Sequence, residues 1–187
     1  MKIQIIIGSV RQGRIGPQIA QWVRDCIVGV SEAISADIID LAEWYLPMDD
    51  EPFMPSSGQY IQPHTQKWSE KINQGQMMIF VFPQYNWGYP AALKNAIDHL
   101  YHEWKDKPAL MVSYANRGGA KAATQLKQVL EGVNMQPLNT AIEIKLSELE
   151  FEENGMIVHP VEGLSQYVPA LHEALALVIN SMSIKDG

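Results

Sequence analysis

The strongest constraint on this chain is a repeated alternation. Short apolar runs rich in β-formers are each followed by a stretch with helical spacing, five times over. Residues 3–7 form a continuous run that stops at Gly8, and residues 77–82 (MMIFVF) and 109–114 (ALMVSY) form two more. Runs of this kind are buried on both faces, as in parallel sheets. Residues 36–41 (ADIIDL) read as a further strand. Residues 141–146 (AIEIKL) alternate apolar and polar, which fits a half-exposed edge strand.

The intervening segments have helical periodicity. Ile15, Ile19, Trp22, Val23, Cys26 and Ile27 recur at spacings of three and four, with Pro17 in the first turn, where a missing N–H costs little. A second helix is expected over residues 62–74. The third is expected to run on to Trp104, with Leu93, Ala96, Ile97, Leu100, Tyr101 and Trp104 on its apolar face. Lys94, Asn95, Asp98, His99, His102 and Glu103 would form its polar face. The fourth carries Ala122, Ala123, Leu126, Val129, Leu130 and Val133, and the last Leu164, Val168, Leu171, Leu175, Val178 and Ile179.

Strands alternating with helices predict an α/β doubly wound fold: a five-stranded parallel sheet of order 2-1-3-4-5 with helices on both faces. At 187 residues the expectation is one domain over residues 1–187. In that order strands 1, 3 and 4 are neighbours. The loops leaving them, GSVRQGRIGPQ, PQYNWGYP and YANRGG, meet at the carboxyl edge, where ligands of such sheets bind.

Composition narrows the partner. A net charge of −7, with no Lys/Arg-rich run, opposes nucleic acid or an anionic membrane. A small anion held in one local pocket remains compatible. The single cysteine excludes an internal disulfide. No stretch is long enough to span a bilayer, and the apolar start is too short for a signal segment. The expected location is cytoplasmic.

The first loop suits a phosphate. Helix N-terminal N–H groups attract anions, Ser9 adds a hydroxyl, and Arg11 and Arg14 add charge. A P-loop is excluded because Arg14 and Ile15 follow Gly13 where lysine and a hydroxyl are required. Val10 breaks the G-x-G-x-x-G fingerprint, although Asp40 would suit a ribose. An ordinary glycine-rich turn with solvated arginines is the competing reading. The second loop suits a planar heterocycle: Tyr85, Trp87 and Tyr89 offer stacking surface, and the N–H groups of residues 85–88 with the Asn86 amide offer edge hydrogen bonds. Pro83 and Pro90 stiffen it. A protein-contact patch would use the same aromatic residues.

GSVRQGRIGPQIAQWV and PQYNWGYPAALKNAIDHLYHEW resemble the two signatures of the NAD(P)H-dependent FMN reductases, a flavodoxin-like family, and are most similar to its quinone reductase and azoreductase branch. The resemblance covers residues 1–135 well. It implies FMN at the carboxyl edge in a homodimer or homotetramer. Ser9, Arg11, Gly16, Pro17 and Gln18 would hold the phosphate. Pro83, Gln84, Tyr85, Asn86 and Trp87 would line the ring, and Ser113 and Tyr114 would close its far side. NADPH or NADH would reduce the flavin and a quinone, azo compound or similar small acceptor would reoxidise it, in a ping-pong cycle. Tyr85 and Tyr89 would contact the acceptor, and Arg117 a nicotinamide nucleotide. No dedicated acid or base is required, so no catalytic residue is assigned.

Other groups attract blander readings. His99 and His102 lie three apart on one helix with no third ligand evident, so no metal is expected. Cys26 lies on an apolar stripe, and the acidic run at residues 48–51 suits a solvated loop. Three rival functions stay open: a flavodoxin-type electron carrier, a flavin-binding protein whose partner depends on redox state, and a nicotinamide-only enzyme.

Overall fold

The computed structural model describes residues 1–185. Its centre is a parallel sheet of β1 (Lys2–Ile7), β2 (Ser35–Asp40), β3 (Met77–Pro83) and β4 (Pro108–Ala115) in the order β2-β1-β3-β4. Ile5 pairs with Ile38 on one side and Ile79 on the other, and Val81 pairs with Val112. The continuous apolar runs are accounted for by burial: every residue of β3 is buried.

The fifth position is filled twice. β5 (Gln136–Pro137) lies beside the start of β4, and β6 (Ile142–Lys145) beside its end. One strand was expected there. Pro137 has no N–H to donate, and after Leu138 donates to the Ala109 carbonyl at 2.8 Å the chain leaves the ladder until Ile142. The alternation in β6 matches its exposure, with Ile142 and Ile144 buried and Glu143 and Lys145 exposed.

Helices cover both faces. α1 (Gly16–Val28) and α6 (Val168–Lys185) pack on Ile3, Ile5, Ile7, Val112 and Tyr114. α2 (Pro63–Asn73), α3 (Ala91–Asp98) and α4 (Ala120–Gly132) pack on Ile6, Phe80, Phe82 and Met111. The short α5 (Pro160–Gly163) and a tight turn at residues 165–167 precede α6, so the expected last helix is broken near Leu164. No helix among the described residues is long and apolar enough to cross a membrane.

α3 is shorter than its periodicity predicts. It ends at Asp98, and Tyr101 departs from helical geometry before a tight turn at residues 102–104. Side chains take the last carbonyls: His99 Nδ1 donates to Asn95 at 2.8 Å, Trp68 Nε1 to Ala96 at 2.8 Å, and Trp104 Nε1 to Ile97 at 3.0 Å. These bonds add to the backbone ones that the His99 and Leu100 N–H groups make to the Asn95 and Ile97 carbonyls, and the bond from Trp104 ties its ring into the core. The supposed polar face is partly buried as well. His99 and Glu103 are both buried, and Glu103 accepts from Tyr60 and Ser69.

Candidate functional site

The loop after β1 leaves the sheet at Gly8 and turns through Gly13, whose φ of +66° favours glycine. α1 then begins at Gly16, where a Cβ would lie 2.9 Å from Ile7 Cγ2 and 3.2 Å from Tyr114 Oη. Ile15 at the N-cap brings no capping side chain, so the first N–H groups of α1 stay available. Ser9 is buried beside this terminus, and its hydroxyl bonds the Tyr85 hydroxyl at 2.8 Å. The Arg11 guanidinium lies 3.9 Å above the Tyr85 ring. Arg14 pairs with Asp40 instead. Asp40 also accepts from the Ala42 N–H, so its carboxylate is engaged and does not serve a ribose.

The loop after β3 is a tight reversal. Tyr85 and Gly88 exchange N–H···O bonds of 2.8 and 2.9 Å, and Asn86 and Trp87 both have positive φ, at 47° and 70°. This is the primed turn that suits a right-handed twist. Its cost falls on the expected donors: the N–H groups of Tyr85 and Gly88 are used inside the turn, leaving those of Asn86 and Trp87. Gln84 is fixed at both ends, its N–H donating to the Tyr114 carbonyl and its Oε1 accepting from Ala122 in the first turn of α4. Trp87 is 64% exposed and stacks under Lys121 Nζ.

A cleft of about 450 Å³ opens between these loops, lined by Arg14, Pro83, Gln84, Tyr85, Tyr114 and Asn116 among others. Burial pushes the Tyr114 hydroxyl up from its ordinary range, assisted by the neighbouring Tyr85. Among the described residues Ser9 is the one side chain with a hydrogen-bonding influence on its hydroxyl, and Arg14 Nε has no hydrogen-bond partner.

The structure thus gathers Ser9, Arg11, Gly16, Pro83, Gln84, Tyr85 and Tyr114 at one edge. The side chains of other expected residues are directed elsewhere. The Ser113 side chain is on the opposite sheet face from Tyr114, packed so closely on Gly119 that a Cβ there would collide with it. Gln18 holds Ile157 with both ends of its amide, at 3.1 and 2.9 Å. It lines a separate groove with Pro17, Trp22 and Pro160. Tyr89 packs toward α3, where Lys94 and Asp98 set its surroundings, and it does not line the cleft. Arg117 is exposed.

The far wall was missed. Leu146, Phe151 and Gly155 line the cleft, from an acidic stretch after β6 that has neither helical nor strand periodicity. Glu152 and Gly155 close a small turn there, and Phe151 pairs with Ile157. The one signal was a lone aromatic residue before an Asn-Gly turn.

Comparison with known proteins gives this edge its context. The family described as NADPH-dependent FMN reductase matches residues 1–146. An NAD(P)H-dependent FMN reductase of Saccharomyces cerevisiae is 43% identical over 165 residues, covering 82% of this chain and 86% of the yeast protein. One from Schizosaccharomyces pombe is 42% identical over 176 residues, 92% of this chain and 86% of that protein. A quinone reductase of Escherichia coli is 27% identical over 148 residues, 74% of each. The solved flavoenzyme NAD(P)H:(acceptor) oxidoreductase of Paracoccus denitrificans shares the fold, with a TM-score of 0.67 at 19% identity, over 94% of this chain and 97% of that one. The chain belongs to the NADPH-dependent FMN reductase family and is an oxidoreductase whose cofactor is FMN.

Proposed function

We propose that the cleft seats FMN with its phosphate at the N-terminus of α1, and that NAD(P)H and then a quinone or azo acceptor use its open side in turn. The observation that carries this reading is the convergence of Ser9, Arg11 and Tyr85 on an uncapped helix terminus beside a cleft of nearly neutral lining. The residues present fit the cofactor. Buried polar groups are nearly always paired, yet among the described residues Arg14 Nε, on a cleft-lining residue, is not, and the Tyr114 hydroxyl has only the Ser9 side chain beside it for hydrogen bonding.

FMN, when bound, supplies the two-electron chemistry between nicotinamide and acceptor. The chain supplies position and charge. With the Tyr85 hydroxyl donating to Ser9, the Ser9 hydroxyl is free to donate to a phosphate oxygen. Arg11 adds a charge that no carboxylate neutralises among the described residues, and Gly16 and Gln18 offer backbone N–H groups. Asn86 and Trp87 offer theirs to a ring edge, on a turn already fixed by its own bonds. Tyr114, kept protonated by burial, acts as a hydrogen-bond donor.

The lining also selects the acceptor. Among the described residues its only ionisable side chains are Arg14, Tyr85 and Tyr114, and Arg14 is offset by Asp40. A planar uncharged acceptor suits such a wall. Steady-state rates with NADPH and 1,4-benzoquinone both varied should give parallel double-reciprocal lines. Converging lines, or no quinone turnover, would overturn the reading. A homodimer or homotetramer is part of the same proposal. Trp87 on the cleft loop, and Tyr45, Met48 and Met54 in the segment after β2, are each more than half exposed, surface that contact with a second copy would cover. A monomer by sedimentation equilibrium would contradict it.

A further inference from the structure

On the α2–α3 side of the sheet, a cavity of about 280 Å³ is lined by Asp49, Asp50, Asn95, Asp98 and His99 among others, and shares no residue with the flavin cleft. His99 is only 7% exposed. Its Nδ1 meets the Asn95 carbonyl at 2.8 Å, and a carbonyl can only accept, so Nδ1 carries the hydrogen. The lone pair therefore sits on Nε2, which is buried and without a partner among the described residues. His64 lies next to it, with ring centroids 6.1 Å apart. His64 Nε2 contacts both carboxylate oxygens of Asp50, at 3.0 and 3.1 Å. One ligand atom from each of Asp50, His64 and His99 lies within 4.8 Å of the others.

We propose that Asp50, His64 and His99 form a three-ligand site for a divalent transition-metal ion of zinc type. Two imidazoles and one carboxylate are ligands that Zn²⁺ favours, whereas Mg²⁺ and Ca²⁺ take oxygen. The Nδ1–H···O=C bond of His99 is the outer contact that orients a metal-binding imidazole. The Asp50 segment is fixed too: Gln62 Nε2 holds the Asp50 carbonyl at 3.2 Å, and Glu51 accepts from the Ile61 and Gln62 N–H groups. As the ion enters it takes the place of the proton between His64 and Asp50, which leaves to solvent. Tetrahedral zinc ligands sit about 3.3 Å apart, so from separations within 4.8 Å no pair need close by more than about 1.5 Å. The cavity leaves room for water at the fourth position.

Neither half of this site was legible in the sequence. His99 was paired with its helical neighbour His102, but His102 donates to the Ser56 carbonyl instead. The actual partners lie 35 and 49 residues earlier, and only the packing of α2 and the acidic loop against α3 unites them.

The test uses untagged, FMN-loaded protein titrated with Co²⁺ and then Zn²⁺. One equivalent of Co²⁺ should give visible d–d bands of a tetrahedral site, and Zn²⁺ should abolish them. His64→Gln and Asp50→Asn should each weaken Zn²⁺ binding by at least about tenfold, with the flavin spectrum reporting that the fold is intact. In wild-type protein with ¹⁵N-labelled histidine, Zn²⁺ should shift the ring signals of His64 and His99. Absence of the bands, equal Zn²⁺ affinity in both variants, or shifts confined to His102, His159 or His172 would overturn the proposal.

Discussion

Arg11 and Arg14 share one loop and have different tasks. Arg14 is held by Asp40, while Arg11 lies on the Tyr85 ring with its charge turned to solvent beside α1. Arg11→Ala should therefore weaken FMN binding by about tenfold to a hundredfold, since a hydrogen bond to a charged group contributes about 1.5–3 kcal/mol. Riboflavin, which has no phosphate, should bind nearly as before. Fluorescence titration of both ligands separates the two effects, and an equal loss for both would remove Arg11 from the phosphate. Tyr85→Phe should cost FMN affinity by a smaller factor, about fivefold, because it removes one neutral partner from Ser9. At this scale the sequence named most of the residues that the structure brings together at the candidate site, but not their partners. Arg14 looked equivalent to Arg11 because the Asp40 that claims it lies 26 residues away, on another strand. Ser113 and Tyr114 looked like a pair, yet adjacent strand residues point to opposite faces.

The elements behave as their apolar patterns require, except where side chains override backbone periodicity. α3 is the clearest case: its spacing continues to Trp104, but two tryptophans and a histidine cap its last carbonyls and stop it at Asp98. Trp68→Phe keeps most of the buried ring and removes one of those donors. It should lower stability by about 1–3 kcal/mol, the cost of leaving the buried Ala96 carbonyl unpaired. Urea unfolding would show the loss as a lower midpoint with an unchanged slope. The split of the fifth strand has a similar origin, since Pro137 interrupts the ladder that the composition of the segment would otherwise extend. The wall at residues 146–155 was illegible because its order comes from local turns and from contact with β4, and no hydrophobic period announces it.

For the whole molecule, alternation pointed to a doubly wound sheet and the chain length to order 2-1-3-4-5, which the structure has, and that order put the candidate site at the carboxyl edge before any motif was considered. The pH dependence of stability is also a property of the whole fold. Lys107 donates to the Ile72 carbonyl, and burial pushes its ammonium down to about 8. Above that pH the folded chain binds fewer protons than the unfolded one, so stability should rise with pH. Above pH 9.0 the Cys26 thiol, raised by burial, begins to oppose this. Above pH 10.0 Tyr60 and Tyr114, also raised by burial, oppose it further. Urea midpoints should thus climb between about pH 8 and 9 and then level or fall, and Lys107→Met should flatten the climb. The central claim is that the three loops at the ends of β1, β3 and β4 hold FMN where NAD(P)H can reduce it. The visible absorption of the FMN-loaded protein, mixed anaerobically with NADPH, tests this most directly. Bleaching of the flavin bands on mixing is the predicted result. A flavin that stays oxidised with NADPH and NADH alike, or a protein that takes up no FMN, would contradict the account.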